Sequence, residues 1–114
     1  MDQDEVHCYH ILLKHTGSRN PTDSYRNKPV TRSKAEAIAG IQAIKAEIKS
    51  MDDFTRIAQQ VSECRSAAKG GDLGVFGRGQ MQAAFEEASY ALSPGQISDL
   101  VDTDSGIHII LRVA

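Results

Sequence analysis

The stretch Val6-His7-Cys8-Tyr9-His10-Ile11-Leu12-Leu13-Lys14-His15 decides how this chain is read. In an extended segment Cys8, His10, Leu12 and Lys14 share one face, and Tyr9, Ile11 and Leu13 share the other. Both faces carry apolar residues, which predicts a central strand covered on each side. Polar groups set into such a strand need partners, so His10 is a focus for chemistry from the start.

Working outward, residues 16–30 contain Gly17, Asn20, Pro21, Asn27 and Pro29 and show no periodicity. A loop of this length inside a small domain is usually functional or disordered. This one is basic. Lys14, Arg19, Arg26, Lys28, Arg32 and Lys34 stand against Asp23 alone, a local charge of about +5 against −7 for the rest of a chain with net charge −2. Such a separation makes an anion-attracting field in a protein that is acidic overall. The plainer reading is a solvated loop with scattered lysines. Nucleic acid is a poor candidate for the anion, since aromatics are 5% of the chain and no groove-reading or stacking motif accompanies the patch.

Two helices follow. Ser33-x-x-Glu36 reads as a capping box, with Ile38, Ile41, Ile44 and Ile48 as the apolar stripe. Phe54, Ile57, Ala58 and Val61 repeat the pattern behind a cap at Ser50 or Asp52. Gly70, Gly71, Gly74, Gly77 and Gly79 bracket a short strand, residues 73–76. They lack the Lys-Ser/Thr of a P-loop and the spacing of a dinucleotide fingerprint. Tight turns, or close backbone approach to something bound, explain them better. Residues 83–92 form a short helix stopped by Ser93-Pro94-Gly95; residues 97–101 and 107–113 are strands joined by a turn over 102–106. The order β-α-α-β-α-β-β predicts one α+β domain over residues 1–114, with a flexible terminus at 1–5.

Composition is that of an ordinary globular protein: 114 residues, 40% hydrophobic and 25% charged. There is no run long enough to span a membrane and no basic n-region of a signal peptide. Cys8 and Cys64 do not make a disulfide framework, so a reducing compartment, cytoplasm or nucleus, is expected. His108, inside the apolar run 107–111, joins His10 as a histidine on a strand. The plain reading of each is a satisfied core histidine. Together with Cys8 and Cys64 they invite a tetrahedral zinc site, but Cys-x-x-Cys and His-x-x-x-His spacings are absent. A cysteine-histidine hydrolase has no flanking signature either.

Several blocks in order resemble the parvulin family of peptidyl-prolyl cis/trans isomerases. They are His10-Ile-Leu-Leu-Lys-His15, Ser62-Glu-Cys-Arg-Ser66, Gly71-Asp-Leu-Gly74, Arg78-Gly-Gln-Met81, Phe85-Glu-Glu-Ala88 and Thr103-Asp-Ser-Gly-Ile-His-Ile109. The resemblance implies an FKBP-like superfold, a small, mainly antiparallel four-stranded sheet surrounded by about four helices. The basic loop, 16–30, resembles that of the branch directed at phosphoserine- or phosphothreonine-proline. Relatives in that branch often carry a WW domain; with no tryptophan here, that module is expected to be absent. By resemblance, Lys14 and Arg19 hold the phosphate; Leu73, Met81, Gln82 and Phe85 form the proline pocket; and His10, Cys64, Thr103, Ser105 and His108 form the polar centre. The family pattern has paired arginines where this chain has Arg19-Asn20. No metal or cofactor is implied, and the implied partners are phosphorylated Ser/Thr-Pro segments of client proteins met by a monomer, without nucleic acid or membrane.

Overall fold

The computed structural model describes residues 4–114. The elements are β1 (Glu5–Leu13), β2 (Thr22–Asp23), β3 (Lys28–Pro29), α1 (Lys34–Glu47), α2 (Met51–Val61), a 3-10 helix (Arg65–Lys69), β4 (Asp72–Gly77), α3 (Ala83–Ala91), β5 (Val101–Thr103) and β6 (Gly106–Arg112). Four strands form an antiparallel sheet in the order β4-β1-β6-β5, so β1 has a neighbour on each edge. Its alternation then sets the layers. Ile11 and Leu13 pack with Ala37, Ile41, Phe54, Ile57 and Ala58 of α1 and α2, while Val6 and Cys8 pack with Phe76, Phe85 and Ile110 on the α3 side. The large side chains among these, such as Ile11, Leu13 and Val6, each contribute roughly 1.5–3 kcal/mol on removal from water, and a one-residue slip of β1 would invert both layers.

Helix starts follow their caps. Ser33 Oγ accepts from the Glu36 N–H, and the Glu36 carboxylate accepts from the Ser33 N–H, closing the capping box. At α2 it is Ser50, rather than Asp52, whose side chain accepts from the Asp53 N–H. Among the described residues the helices are three α-helices and the 3-10 helix.

The structure differs from the sequence reading in four places. Residues 97–101 are not one strand: Ile97 makes a single bridge to Leu111, and pairing resumes at Val101. Ser98 is the cause, because its Oγ takes the Ile110 N–H at 2.9 Å and bends the chain out of the ladder. The turn expected over 102–106 shortens to Asp104 and Ser105, and Thr103 pairs with Gly106 as part of β5. The loop over 16–30 carries the small β2-β3 ribbon, closed with Asn27 at a φ of 58°. Residues 1–3 of the expected flexible terminus lie outside the described residues, and Glu5 already pairs with Gly77.

Gly71 explains part of the glycine run. At a φ of 91°, a Cβ there would sit 2.4 Å from the His10 carbonyl oxygen. The close approach is to the chain's own first strand, and the Gly71 carbonyl accepts the His10 N–H at 3.0 Å.

Candidate active site

Cys64 reaches β1 through the two residues before it. Ser62 Oγ accepts the Leu12 N–H at 3.0 Å, and the Glu63 N–H donates to the Leu12 carbonyl at 2.9 Å. The Glu63 carboxylate accepts the Lys14 N–H at 2.8 Å and also an N–H of Arg32. The segment thus follows β1 closely enough to set Cys64 beside His10, at the edge of a small apolar cavity of about 190 Å³. His10, Cys64, Leu73, Met81, Gln82, Phe85, Thr103, Ser105 and His108 line it.

His10 lies on β1 and His108 diagonally across from it on β6, in register with Leu12, and their Nδ1 atoms are 3.0 Å apart. One of the two nitrogens must carry the proton and the other must not. His108 Nε2 is 2.7 Å from Thr103 Oγ1, which accepts the Ser105 N–H at 3.1 Å. The polar centre is therefore a chain, Ser105-Thr103-His108-His10, that ends at a buried His10 Nε2 with no hydrogen-bond partner among the described residues. Phe85 stands edge-on to both imidazoles, 5.5 and 5.1 Å between ring centroids. Burial pushes His10 down to about 4 from 6.5, and burial with the neighbouring His10 pushes His108 well below its ordinary value. Both rings are neutral at neutral pH.

A second, polar basin of about 210 Å³ adjoins the first, lined by Leu12, Lys14, Arg19, Asn20, Ser24, Glu63, Cys64 and Ser105. Cys64 and Ser105 belong to both walls. The basic loop is less open than its composition suggests. Lys14 is 5% exposed, and its ammonium donates to the Thr22 carbonyl and to Ser24 Oγ. Arg26 is held by Asp23 and by the carbonyls of Ser62 and Gln59, Arg32 by Glu63 and the Lys14 carbonyl, and Lys34 by Asp102. Among the described residues Arg19 is the basin-lining arginine whose guanidinium forms no ion pair; its backbone N–H donates to the Asp104 carbonyl at 2.8 Å.

Cys8, considered for zinc with His10, Cys64 and His108, lies in the apolar layer between β1 and α3, where burial raises its thiol above the ordinary value. No three His, Cys, Asp or Glu side chains among the described residues are grouped as metal ligands. A roomier groove of about 380 Å³, lined by Ile48, Met51, Ile97, Leu111 and Val113, has no acid, histidine or cysteine in its wall. No helix of the structure is long and apolar enough to cross a membrane. Sequence reading missed the Glu63-Arg32 brace and the 3-10 helix after Cys64; Gly70, at a φ of 66°, is the one local signal for the latter.

The rotamase family model, the PPIC-type isomerase domain, matches residues 10–114. The chain is 49% identical to the peptidyl-prolyl cis-trans isomerase Pin1 of Arabidopsis thaliana, covering 98% of each chain. It is 50% identical to the peptidyl-prolyl cis-trans isomerase NIMA-interacting 1 of Theileria annulata, over 97% of this chain and 81% of that one. The solved structure of the isomerase ESS1 from Candida albicans superposes with a TM-score of 0.90 at 33% identity, over all of this chain and 65% of that one. With the fold, the family model and full-length relatives in agreement, the chain belongs to the parvulin peptidyl-prolyl cis/trans isomerases, in the group of Pin1 and ESS1.

Proposed function

We propose that the enzyme acts preferentially on phosphoserine- or phosphothreonine-proline bonds, with the proline ring in the apolar cavity and the phosphate in the basic basin. The observation that carries this reading is the shared wall: Cys64 and Ser105 face both spaces, so a residue and the proline after it would straddle them. At about 190 Å³ the apolar cavity is below the ~300–1,000 Å³ of pockets for drug-sized ligands, which suits a side-chain ring. Leu73, Met81 and Phe85 supply its apolar surface, and Gln82 is part of its lining.

The reaction needs rotation, not bond cleavage. The barrier is about 18–20 kcal/mol, and ordinary turnover of ~10–1,000 per second requires lowering it by roughly 4–7 kcal/mol. Twisting the imide removes its resonance and lowers its charge separation, so a dry cavity with neutral histidines favours the twisted state over the planar one. Holding the phosphate on one side and the ring on the other fixes the two halves between which rotation occurs. Cys64 tunes this space as a polarizable wall; no covalent adduct is required for a reduction of that size. Burial keeps the two rings neutral, and the Thr103-His108-His10 chain orients them.

Arg19 is the principal anion ligand. Lys14, with two of its three N–H bonds engaged by the loop, has one left to offer the basin. Phosphate carries about −1.5 to −2 charges and three acceptor oxygens, so Glu-Pro should fall between phosphorylated and unmodified peptides. A protease-coupled isomerase assay on matched peptides tests this. Catalytic efficiency should rank phospho-Ser-Pro above Glu-Pro above Ala-Pro, the ranking should weaken with salt, and Arg19→Ala should narrow it while hardly slowing Ala-Pro. Equal efficiency on all three peptides would leave a phosphate-indifferent isomerase.

A further inference from the structure

Gln82 stands at the start of α3, but its side chain does not cap that helix; it reaches across to the two-residue turn between β5 and β6. Its Nε2 donates to Ser105 Oγ at 2.9 Å, and its Oε1 accepts the Asp104 N–H at 3.2 Å. One amide thus holds consecutive residues of the turn, one through its side chain and the other through its backbone. Apart from backbone contacts and the Ser105–Thr103 hydrogen bond, this amide is, among the described residues, the side chain from outside the turn that holds it. β5 is three residues long and Asp104 is exposed, while Gly106, buried at a φ of 147° against the Leu13 carbonyl, anchors the far end of the turn. Yet both halves of the site hang from it. The Ser105 N–H donates to Thr103 Oγ1, which is 2.7 Å from His108 Nε2. The Asp104 carbonyl accepts the backbone N–H of Arg19.

We propose that Gln82 is a positioning residue: its side-chain amide fixes the Asp104-Ser105 turn and thereby the Thr103–His108 hydrogen bond on which the orientation of the histidine pair depends. One donor and one acceptor position of the amide are engaged by the turn, so Gln82 acts on the site by holding Asp104 and Ser105. The link to Arg19 bears on the anion basin only as far as the phosphate-directed reading holds; the link to His108 does not depend on that reading. The decisive assays therefore use an unmodified Ala-Pro peptide.

Gln82→Met keeps side-chain length and apolar fit but removes both hydrogen-bonding ends, and Met is a good helix former. It should lower kcat on the unmodified peptide by about 10-fold, in line with the cost of small misplacements, with KM changed less than about 3-fold. The imidazole nitrogen resonances of His108 and the amide resonances of Asp104 and Ser105 should move. Gln82→Glu, whose carboxylate can accept from both the Asp104 N–H and the Ser105 hydroxyl, should restore most of kcat and of the His108 signature. Two results would overturn the proposal: an unchanged kcat in Gln82→Met, or a raised KM with the His108 nitrogens unmoved, which would make Gln82 a direct substrate contact. Failure of Gln82→Glu to restore the resonances would overturn it as well, since hydrogen bonds to the turn would then not be what sets His108. Loss of phosphate preference alone, with unmodified-peptide kinetics and His108 unchanged, would count against this proposal and leave the anion basin standing.

Discussion

The two halves of the cleft are built in opposite ways. The apolar half is made of sheet and helix: His10 on β1, His108 on β6 and Phe85 on α3, each held by a packed layer on its far side. The basic half is made of a loop, and most of its charges serve to hold that loop in place. Arg26 and Arg32 tie it to Asp23, Glu63 and the carbonyls around them, and Lys14 fastens it from within. A count of lysines and arginines therefore overstates the anion-binding capacity of the surface; what matters is how many have hydrogen-bonding capacity left over.

The sharpest way to break this comparison is to hollow out the rigid half. Phe85 is 4% exposed and in contact with both imidazoles. Phe85→Ala should cost about 3–5 kcal/mol in denaturant unfolding and most of the activity on unmodified peptides. A loss below about 1 kcal/mol would show that α3 can collapse onto the sheet, making this half no more rigid than the other.

Next in size is the acid limb of stability. His10 sits at about 4 in the folded protein against 6.5 ordinarily, so the unfolded chain takes up the proton first. Stability from keeping this ring neutral is complete above about pH 6.5 and is lost as pH falls toward 4, roughly 3 kcal/mol for His10. His108 moves in the same direction. Urea midpoints at pH 7.5 and 5 should record the loss, and His10→Gln should reduce it to the part that His108 contributes. A His10 inflection above pH 6 in an NMR titration would contradict the dry cavity.

Smaller effects probe the loop. Arg26→Ala removes an ion pair and two hydrogen bonds to carbonyls at once, and should destabilise by about 1–2 kcal/mol while also blurring phosphate preference. Arg19→Ala, by contrast, should leave the unfolding midpoint within about 0.5 kcal/mol of wild type. If the two behave alike, the distinction between loop-holding and anion-holding arginines fails. The smallest change expected is a gain. Asn20→Arg adds an exposed fork-shaped donor to the basin wall and should widen the gap between phosphorylated and plain peptides by no more than about fivefold.

How much of this was legible depended on how local the cause is. Alternation in β1 and the stripes of α1 and α2 are periodic, and the layers follow from them directly. Ser33 and Ser50 announce their helices within four residues. Ser98 defeated the strand reading because its hydroxyl replaces a ladder bond to Ile110, twelve residues away, and nothing in residues 97–101 hints at it. The identity of the site residues could be carried over from a resemblance in sequence, but their economy could not. That Lys14 is buried with its ammonium turned toward Thr22 and Ser24, or that Gln82 reaches to Ser105 and not to its own helix, depends on contacts made across the fold.

The strand order has a consequence for the making of the protein. β1 lies between β4 and β6, and His10 meets a partner 98 residues further along the chain. At roughly 5–20 residues per second, a ribosome needs about 5–20 s to supply that partner. β4 can cover one edge of β1 once residues 72–77 have emerged, but the β6 edge of this strand stays open throughout that interval. A nascent chain in this state is a natural ligand for chaperones that bind extended hydrophobic segments, and an aggregation hazard where they are scarce. The order in which the elements are synthesised thus keeps the active site unassembled until β6 has left the ribosome.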